Sequence, residues 1–319
     1  MAVLDSIMQE GLLVDRAWFS RQGVESTAVD YYLRSGKIEA LVHGLYRKPG
    51  PPLKWQQVVY SLIVLGHDVH VGHLTALSYH GYEHSLKLGV AQSIRLYSAQ
   101  SLPSWVEKVE IGPGFIKMKR NPFPNGSVGL VDVLFGTWDW PIPYSSAERA
   151  FIELASTLET REDILQAKLM FEGAANLRPM LLQSLLEACG NIQTKRLFLW
   201  LARTIGHPWY KHIDISRIYL GTGKRQIVSG GTLDTQFLIT VPKEVQDGQR
   251  LTISDQPRGF IGYSPRIIPG RFIPNSDPNS SLALRHKNTH LAIPVDLLES
   301  EPGTDGYSQC TYKAFTMDM

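Results

Sequence analysis

One stretch of the sequence has the composition of a phosphate-binding loop. It reads Gly221-Thr222-Gly223-Lys224, and glycines beside a lysine can hold a nucleotide phosphate. The phosphate-loop pattern GxxxxGK[ST], however, requires glycine at position 218 and serine or threonine at position 225, where this chain has Ile218 and Arg225. The sequence therefore predicts no nucleotide-binding phosphate loop, and the segment is interpreted as the start of a basic strand or turn.

Histidines and carboxylates are the other residues that could do chemistry. Five histidines lie close together in the chain: His67, His70, His73, His80 and His84. His80 and His84 are four apart, but no HExxH pattern accompanies them, and Gly81 interrupts the helix between them. Asp132 lacks the second nearby carboxylate of a catalytic metal pair, and the only two cysteines are far apart without CxxC spacing. We therefore predict no metal, no cofactor and no enzymatic activity, with structural or surface roles for the histidines.

The charge of the whole chain is nearly balanced, but basic residues gather locally. Lys and Arg total 32 against 30 Asp and Glu, which excludes a strongly polybasic protein held on nucleic acid by bulk charge. Near the start of the chain, four basic residues within fifteen positions are opposed only by Glu39: Arg34, Lys37, Arg47 and Lys48. A cluster of this kind is either a solvated face or a set of phosphate contacts, depending on the elements that carry it.

The elements around this cluster are predicted to form a winged helix-turn-helix. The spacing of apolar residues predicts helices over 3–11, 15–22 and 26–36, followed by a pair of short strands within 37–48. His43-Gly44 between the two strand patterns predicts a tight hairpin, because glycine accepts a positive φ. Three helices followed by a hairpin are the order of a winged helix, in which the third helix enters the major groove of DNA.

The polar face of the third helix is the surface predicted to read DNA. Its other face carries the apolar residues Ala28, Val29, Tyr32 and Leu33. Asp30 lies on the polar face and counts against contact with an anionic duplex. The residues predicted to face bases are Ser26, Thr27, Tyr31 and Arg34. The residues predicted to contact phosphates or enter the adjoining groove are Lys37, His43, Arg47 and Lys48.

The 319 residues are predicted to form two domains and a tail, in the α+β class. Residues 1–52 form the winged helix-turn-helix and end at a proline-rich stretch; residues 53–242 form a mixed α/β domain in which a sheet precedes several helices. Residues 243–319 contain seven prolines and no tryptophan, and are predicted to be a tail of unknown role. No run of about 18 apolar residues appears, so we expect no membrane span, and the start has no secretory pattern, so we expect a cytoplasmic protein.

Three segments of the chain carry a resemblance to a known family. They are GVESTAVDYYLRSGKIEALVHGLYRKPG, which contains the predicted third helix and wing, VHVGHLTALSYHGYEH at 69–84, and LGTGKRQIVSGGTLDTQFLITVP at 220–242. In this order they resemble the AbiEi family, the antitoxins of type IV toxin–antitoxin systems. The resemblance covers most of residues 1–242 and none of residues 243–319.

The resemblance implies a bifunctional protein. Its winged helix would bind inverted repeats upstream of its own operon and repress it, and its C-terminal antitoxin domain would oppose a nucleotidyltransferase-like toxin, with direct binding left open. The family implies a positive face on that domain, for which the candidates are Lys195, Arg196, Arg203, Lys224 and Arg225. The alternatives are a stand-alone winged-helix regulator whose C-terminal domain senses a ligand or binds a protein, and a module that contacts proteins only. A third alternative is an enzyme, a nucleotidyltransferase relative or a nuclease, against which the lack of paired carboxylates and of a phosphate loop counts.

Overall fold

The computed structural model of the protein describes residues 2–82, 93–124 and 126–243. His84 and, apart from Lys243, the predicted tail at 243–319 lie outside the described residues. Helices and sheets both occur and follow one another in separate blocks, which confirms the prediction of an α+β fold. Among the described helices, none is long and apolar enough to cross a membrane.

The N-terminal part is a winged helix, as predicted. Its elements are α1 (Ala2–Ile7), β1 (Val14–Asp15), α2 (Arg16–Arg21), α3 (Ser26–Arg34), β2 (Glu39–Val42) and β3 (Leu45–Arg47). The Asp15 carboxylate accepts from the backbone N–H of Trp18 at 2.6 Å and so caps α2. Gly44 at the tip of the wing has φ +80°, which accounts for the predicted tight hairpin. β1, two residues long and absent from the sequence prediction, extends the wing to a three-stranded sheet in the order β1-β3-β2.

A mixed five-stranded sheet follows, with two helices inserted in its first half. The elements are α4 (Trp55–Val64), β4 (Val69–Val71), α5 (His73–Tyr79), β5 (Ile94–Ser98), β6 (Phe115–Lys117), β7 (Leu130–Phe135) and β8 (Trp140–Ser145). The strand order is β6-β5-β4-β8-β7, with β4–β8 and β5–β6 parallel and β4–β5 and β7–β8 antiparallel. The hairpin β7–β8 therefore ends the sheet on one side.

The last block is helical and closes with a small sheet. It contains α6 (Ala147–Ala155), α7 (Arg161–Glu172), α8 (Pro179–Ala188), α9 (Ile192–Ile205), two short 3-10 turns, β9 (Arg225–Gln226), β10 (Thr232–Asp234) and β11 (Ile239–Val241). Its core is rich in large aromatic side chains that are fully buried: Phe151, Phe171, Phe198, Trp200 and Phe237. The middle of α9 is apolar on every side, because it lies at the centre of this block.

Apolar packing continues across the proline stretch at 49–52. Trp140 of β8 is buried in the winged-helix core, stacks on Tyr60 of α4 with ring centres 4.6 Å apart, and donates its indole N–H to Oε1 of Gln9 at 2.5 Å. The backbone N–H of Leu13 donates to Oγ of Ser61 at 2.9 Å. The prolines therefore mark the end of the wing, while α4 and the β7–β8 hairpin pack against the winged-helix core.

Candidate nucleic-acid interface

The third helix of the winged helix presents an exposed polar face. Val29 on its inner side is buried, whereas Ser26, Thr27 and Arg34 are exposed and the Tyr31 side chain is 53% exposed. The four residues predicted to face bases therefore share the solvent side of α3. An α-helix with short polar and aromatic side chains on one face fits the width of a DNA major groove.

Lys37 lies beside this face at the C-terminal end of α3. Its ammonium group lies 5.0 Å from the ring centre of Tyr31 and 5.7 Å from that of Tyr32. Cation–π contacts of this kind hold a lysine in place without neutralising its charge. Lys37 and the exposed Arg34 thus put two positive charges next to the polar face of α3, while His43 is exposed at the tip of the wing.

Arg16 is a residue of this region that the sequence analysis missed. Its guanidinium donates to Asp30 Oδ1 at 2.5 Å, to Ser26 Oγ at 2.7 Å and to the Tyr46 hydroxyl at 3.1 Å. The hydrogen bonds to Asp30 and then Tyr46 raise the pKa of Arg16 above its ordinary value. Arg16 therefore connects α2 to α3 and β3 by hydrogen bonds. Its ion pair with Asp30 balances the acidic charge that the sequence analysis counted against DNA contact.

Arg47 and Lys48, predicted to contact phosphates, have partners within the chain. The Arg47 guanidinium pairs with Glu39 at 2.6 Å across the wing and donates to the Pro51 carbonyl at 3.0 Å. The Lys48 ammonium pairs with Asp5 of α1 at 2.7 Å. Both side chains are mostly covered, and their ion pairs fix the position of the wing relative to α1 and the chain that follows. They therefore add less positive charge to the solvent-exposed surface than the sequence cluster suggested.

Two of the predicted antitoxin-face residues require a correction, because Lys195 and Arg196 do not lie on a surface. They are only 4% and 1% exposed. The Arg196 guanidinium donates to the carbonyls of Leu220 at 2.7 Å, Gly221 at 3.0 Å and Gly223 at 2.7 Å, so it clamps the loop that follows. The physical reason is that α9 is surrounded by other elements, which the spacing of its cations did not reveal.

The other three candidates differ among themselves. Arg203 is partly covered: it pairs with Asp234 and Gln236, and its guanidinium carbon lies 5.0 Å from the ring centre of Phe237. Lys224 and Arg225 are exposed on the loop that Arg196 holds. A positive face in this part of the chain is therefore limited to the pair Lys224 and Arg225 among the residues predicted for it.

The histidines near 70 take part in a buried polar network around Glu153. The Glu153 carboxylate accepts from Ser145 Oγ at 2.8 Å, Arg149 Nε at 2.9 Å and the His73 backbone N–H at 2.9 Å, and it lies 3.2 Å from His70 Nε2. Burial by itself raises the pKa of Glu153, but the hydrogen bond and charge of His70, with the Arg149 charge, hold it below its ordinary value.

His73 differs from the other members of this network in backbone and charge. It has φ +55°, a backbone region that few residues other than glycine occupy, and its Nε2 lies 2.9 Å from the Thr157 hydroxyl. Burial, with a smaller effect of the Arg95 charge, lowers the pKa of His73 to about 3. The imidazole is therefore neutral at ordinary pH, in keeping with the structural role predicted for the histidines.

Two family models match this chain in succession. Residues 2–88 match the model for the N-terminal domain of the AbiEi antitoxin, a transcriptional regulator. Residues 91–242 match the model described as transcriptional regulator, AbiEi antitoxin, type IV toxin–antitoxin system. The chain belongs to the AbiEi family. This confirms the resemblance drawn from the third helix and wing, the 69–84 segment and the 220–242 segment.

The family matches place their junction after α5 in this AbiEi chain. The N-terminal match runs to residue 88 and the next begins at 91, whereas the sequence placed a boundary at residue 52. A search of the curated proteins gave no match. Among solved structures, the chain is similar to the crystal structure of the RV2827C protein from Mycobacterium tuberculosis, with 11% identity and a TM-score of 0.44 over 75% of this chain and 88% of that one.

Proposed function

We propose that this AbiEi chain binds operator DNA through α3 and the wing and represses its own operon. The observation that carries the proposal is the exposed polar face of α3, which has the positive charges of Arg34 and Lys37 beside it. The negative charge of Asp30 on this face is balanced by its ion pair with Arg16. A groove-reading helix requires a polar face of this kind, with cations beside it for the phosphates.

The contacts are divided between bases and backbone. Thr27, Tyr31 and Arg34 face bases, and Ser26 does so while its oxygen accepts from Arg16. Lys37 and His43 contact phosphates or the adjoining groove, and Arg47 and Lys48 hold the wing at the required angle. Because the chain has a net charge of only +2, nonspecific affinity is modest, and selectivity depends on two copies bound to an inverted repeat.

The second half of the proposal concerns the C-terminal domain, which opposes a nucleotidyltransferase-like toxin. It acts by binding rather than by catalysis, and the exposed pair Lys224 and Arg225 is the part of the predicted positive face that a partner can reach. Support comes from the family match over residues 91–242. Both activities are exercised in the cytoplasm, where operator DNA and the toxin are found.

The DNA half is tested by gel-shift titration of the full chain. The duplex is the region upstream of its own gene, a scrambled duplex is the competitor, and the titration is run at two salt concentrations. Arg34→Ala with Lys37→Ala should weaken binding at least tenfold and reduce the slope of log affinity against log salt by about 0.9, the value for the one phosphate contact that Lys37 makes. Equal binding of the scrambled duplex would refute operator recognition.

A matched variant separates the two halves. Lys224→Ala with Arg225→Ala also removes two positive charges, but from the loop held by Arg196. This variant should bind the operator duplex as the parent does and should lose the ability to rescue cells that express the neighbouring toxin gene. If it loses operator binding as well, bulk charge rather than the α3 face determines affinity.

A further inference from the structure

Four large apolar side chains are exposed along β7 and its flanks. They are Val128, Val131, Leu134 and Trp138, all within eleven positions, and Leu134 and Trp138 are 63% and 50% exposed. Val131 and Leu134 lie on β7, the last strand of the five-stranded sheet, and point to its two opposite faces, while Val128 and Trp138 lie in the turns at its ends. The edge of the sheet therefore has apolar side chains exposed on both sides, which is a feature of interaction surfaces rather than of isolated exposed residues.

The backbone of β7 is available for pairing on its outer side. In the β7–β8 ladder, the N–H of Ser146 donates to the Gly129 carbonyl at 2.7 Å, and β8 carries Pro141 and Pro143 opposite Leu134 and Asp132. Because proline has no N–H, odd-numbered residues of β7 bond to β8, and even-numbered residues direct their backbone groups outward. No strand among the described residues pairs with that outer edge.

The edge also lacks the features that keep strands apart. Edge strands of soluble proteins usually carry lysine, proline or a bulge that prevents pairing with another chain. β7 reads LVDVLF, in which Asp132 is the only charge, and its register with β8 is regular over all six residues. A strand of this kind is suited to accept another strand.

We infer that β7 pairs in antiparallel fashion with β7 of a second copy, making a dimer with one continuous sheet. The N–H of Leu130 already donates to the Ser127 carbonyl at 2.9 Å, so the outward backbone groups of Asp132 and Leu134 carry the pairing, and they allow only registers in which even residues face even residues. A dyad at residue 132 would set the two Asp132 side chains directly opposite each other, which like charges disfavour. A dyad at Val133 keeps nearly the same overlap and places Asp132 opposite Leu134 of the second copy.

The same dyad matches apolar residues within the strand. With Val133 on the axis, residues whose numbers add to 266 face each other, so Val131 of each copy lies opposite Phe135 of the other and the two Val133 side chains meet. The strand is thus complementary to itself in apolar surface, with its two aspartates out of direct opposition, as a twofold interface requires. The inference does not rest on DNA binding, although it provides the two copies that an inverted repeat needs.

The first test is the mass of the full chain in solution, measured by light scattering and sedimentation at micromolar concentration. We expect about twice the 35.8 kDa of one chain. Leu134→Lys should weaken dimerisation at least tenfold, and Met180→Lys should leave it unchanged, because Met180 is 87% exposed but lies on helix α8 rather than on the edge strand. A monomeric parent, or a dimer indifferent to Leu134→Lys, overturns the proposal.

The second test reads the register itself by disulfide formation in a Cys310→Ser background, which leaves only the buried Cys189. Val133→Cys places two thiols across a non-hydrogen-bonded pair at about 4.5 Å between Cα atoms, within disulfide reach. Val131→Cys, the control, separates them by roughly 14 Å along the strand. Rapid crosslinking of the first variant alone supports the dyad. Crosslinking of the control alone, or of neither, excludes it, whatever the DNA titrations show.

Discussion

The basic residues beside α3 and those in α9 look alike in the sequence, yet the structure puts them in opposite environments. Arg34 and Lys37 border a solvent-exposed face, while Lys195 and Arg196 are buried, with Arg196 bonded to four backbone carbonyls. The difference shows that basic residues at helical spacing indicate a binding surface only when the surrounding elements leave them exposed to solvent. In the winged helix these charges border solvent, and in α9 the Arg196 charge holds the following loop in place.

Of the substitutions that test this comparison, replacement of the buried Arg196 should have the largest effect on stability. Arg196→Ala removes the charged donor that bonds the carbonyls of Leu220, Gly221 and Gly223, at about 1.5–3 kcal/mol for each hydrogen bond to a charged group. We expect the free energy of unfolding to fall by about 3 kcal/mol or more, as measured by urea denaturation. Arg225→Ala, an exposed neighbour, should change it by less than about 0.5 kcal/mol. Equal midpoints for the two variants would contradict the clamp.

Acid should destabilise the buried network before it affects the winged helix. The pKa of His73 is about 3 in the fold and 6.5 ordinarily, so the unfolded chain takes up a proton first as pH falls. Stability is therefore complete above about pH 6.5 and is lost as pH falls toward 3, by about 2 kcal/mol between pH 7 and 5. Glu153, whose pKa is also lowered, adds to the loss below its ordinary value of 4.5.

The measurement is urea denaturation between pH 5 and 7 on the parent and on His73→Asn. Asparagine tolerates the positive φ at this position but does not titrate. His207, whose pKa burial also lowers, is present in both proteins. The variant should lose most of the pH dependence between pH 7 and 5. An unchanged slope would mean that His73 is not the group that resists protonation.

On the exposed side of the comparison, Arg16 should matter through Asp30. Arg16→Ala leaves the Asp30 carboxylate unpaired on the α3 face, so operator affinity should fall about tenfold, equivalent to about 1.4 kcal/mol. Asp30→Asn should bind as well as the parent, and Arg16→Ala with Asp30→Asn should regain much of the lost affinity. If the double variant does not regain operator affinity in the gel-shift titrations, Arg16 acts by direct contact with a phosphate instead.

The smallest effect is expected for the wing pair. Arg47→Ala with Lys48→Ala breaks ion pairs to Glu39 and Asp5, each worth about 1 kcal/mol or less, since one partner of each pair is well exposed. The salt slope of operator binding should stay close to that of the parent, in contrast to the variant lacking Arg34 and Lys37. A slope reduced by about 2 would show that these side chains leave their partners to bind phosphates.

The parts of this fold that depend on local pattern were predictable from the sequence. The apolar spacing around Val29 predicted α3 and its inner face, and His43-Gly44 predicted the hairpin, because both signals lie within a few residues. The pairing of Arg16 with Asp30 joins two helices, and the burial of Arg196 depends on segments far along the chain. Neither can be found from spacing, since partners brought together by tertiary folding leave no periodic signal.

The position of β7 at the edge of the sheet is another feature that depends on tertiary folding. The sequence showed an apolar run with one aspartate, which is equally typical of a buried central strand. Only the strand order β6-β5-β4-β8-β7 shows that one side of this run has no neighbour among the described strands. Strand order is a property of the whole sheet, so it is not contained in the run itself.

Trp140 has a consequence for how such a protein can evolve. It is encoded with the C-terminal sheet, yet its ring is buried in the winged-helix core and bonded to Gln9. A recombination event at the proline stretch would therefore leave one product with an uncovered tryptophan and the other with a hole in the winged-helix core. We therefore expect the winged helix and the domain that follows it to be inherited together, and an exchange of modules at the proline stretch to be selected against.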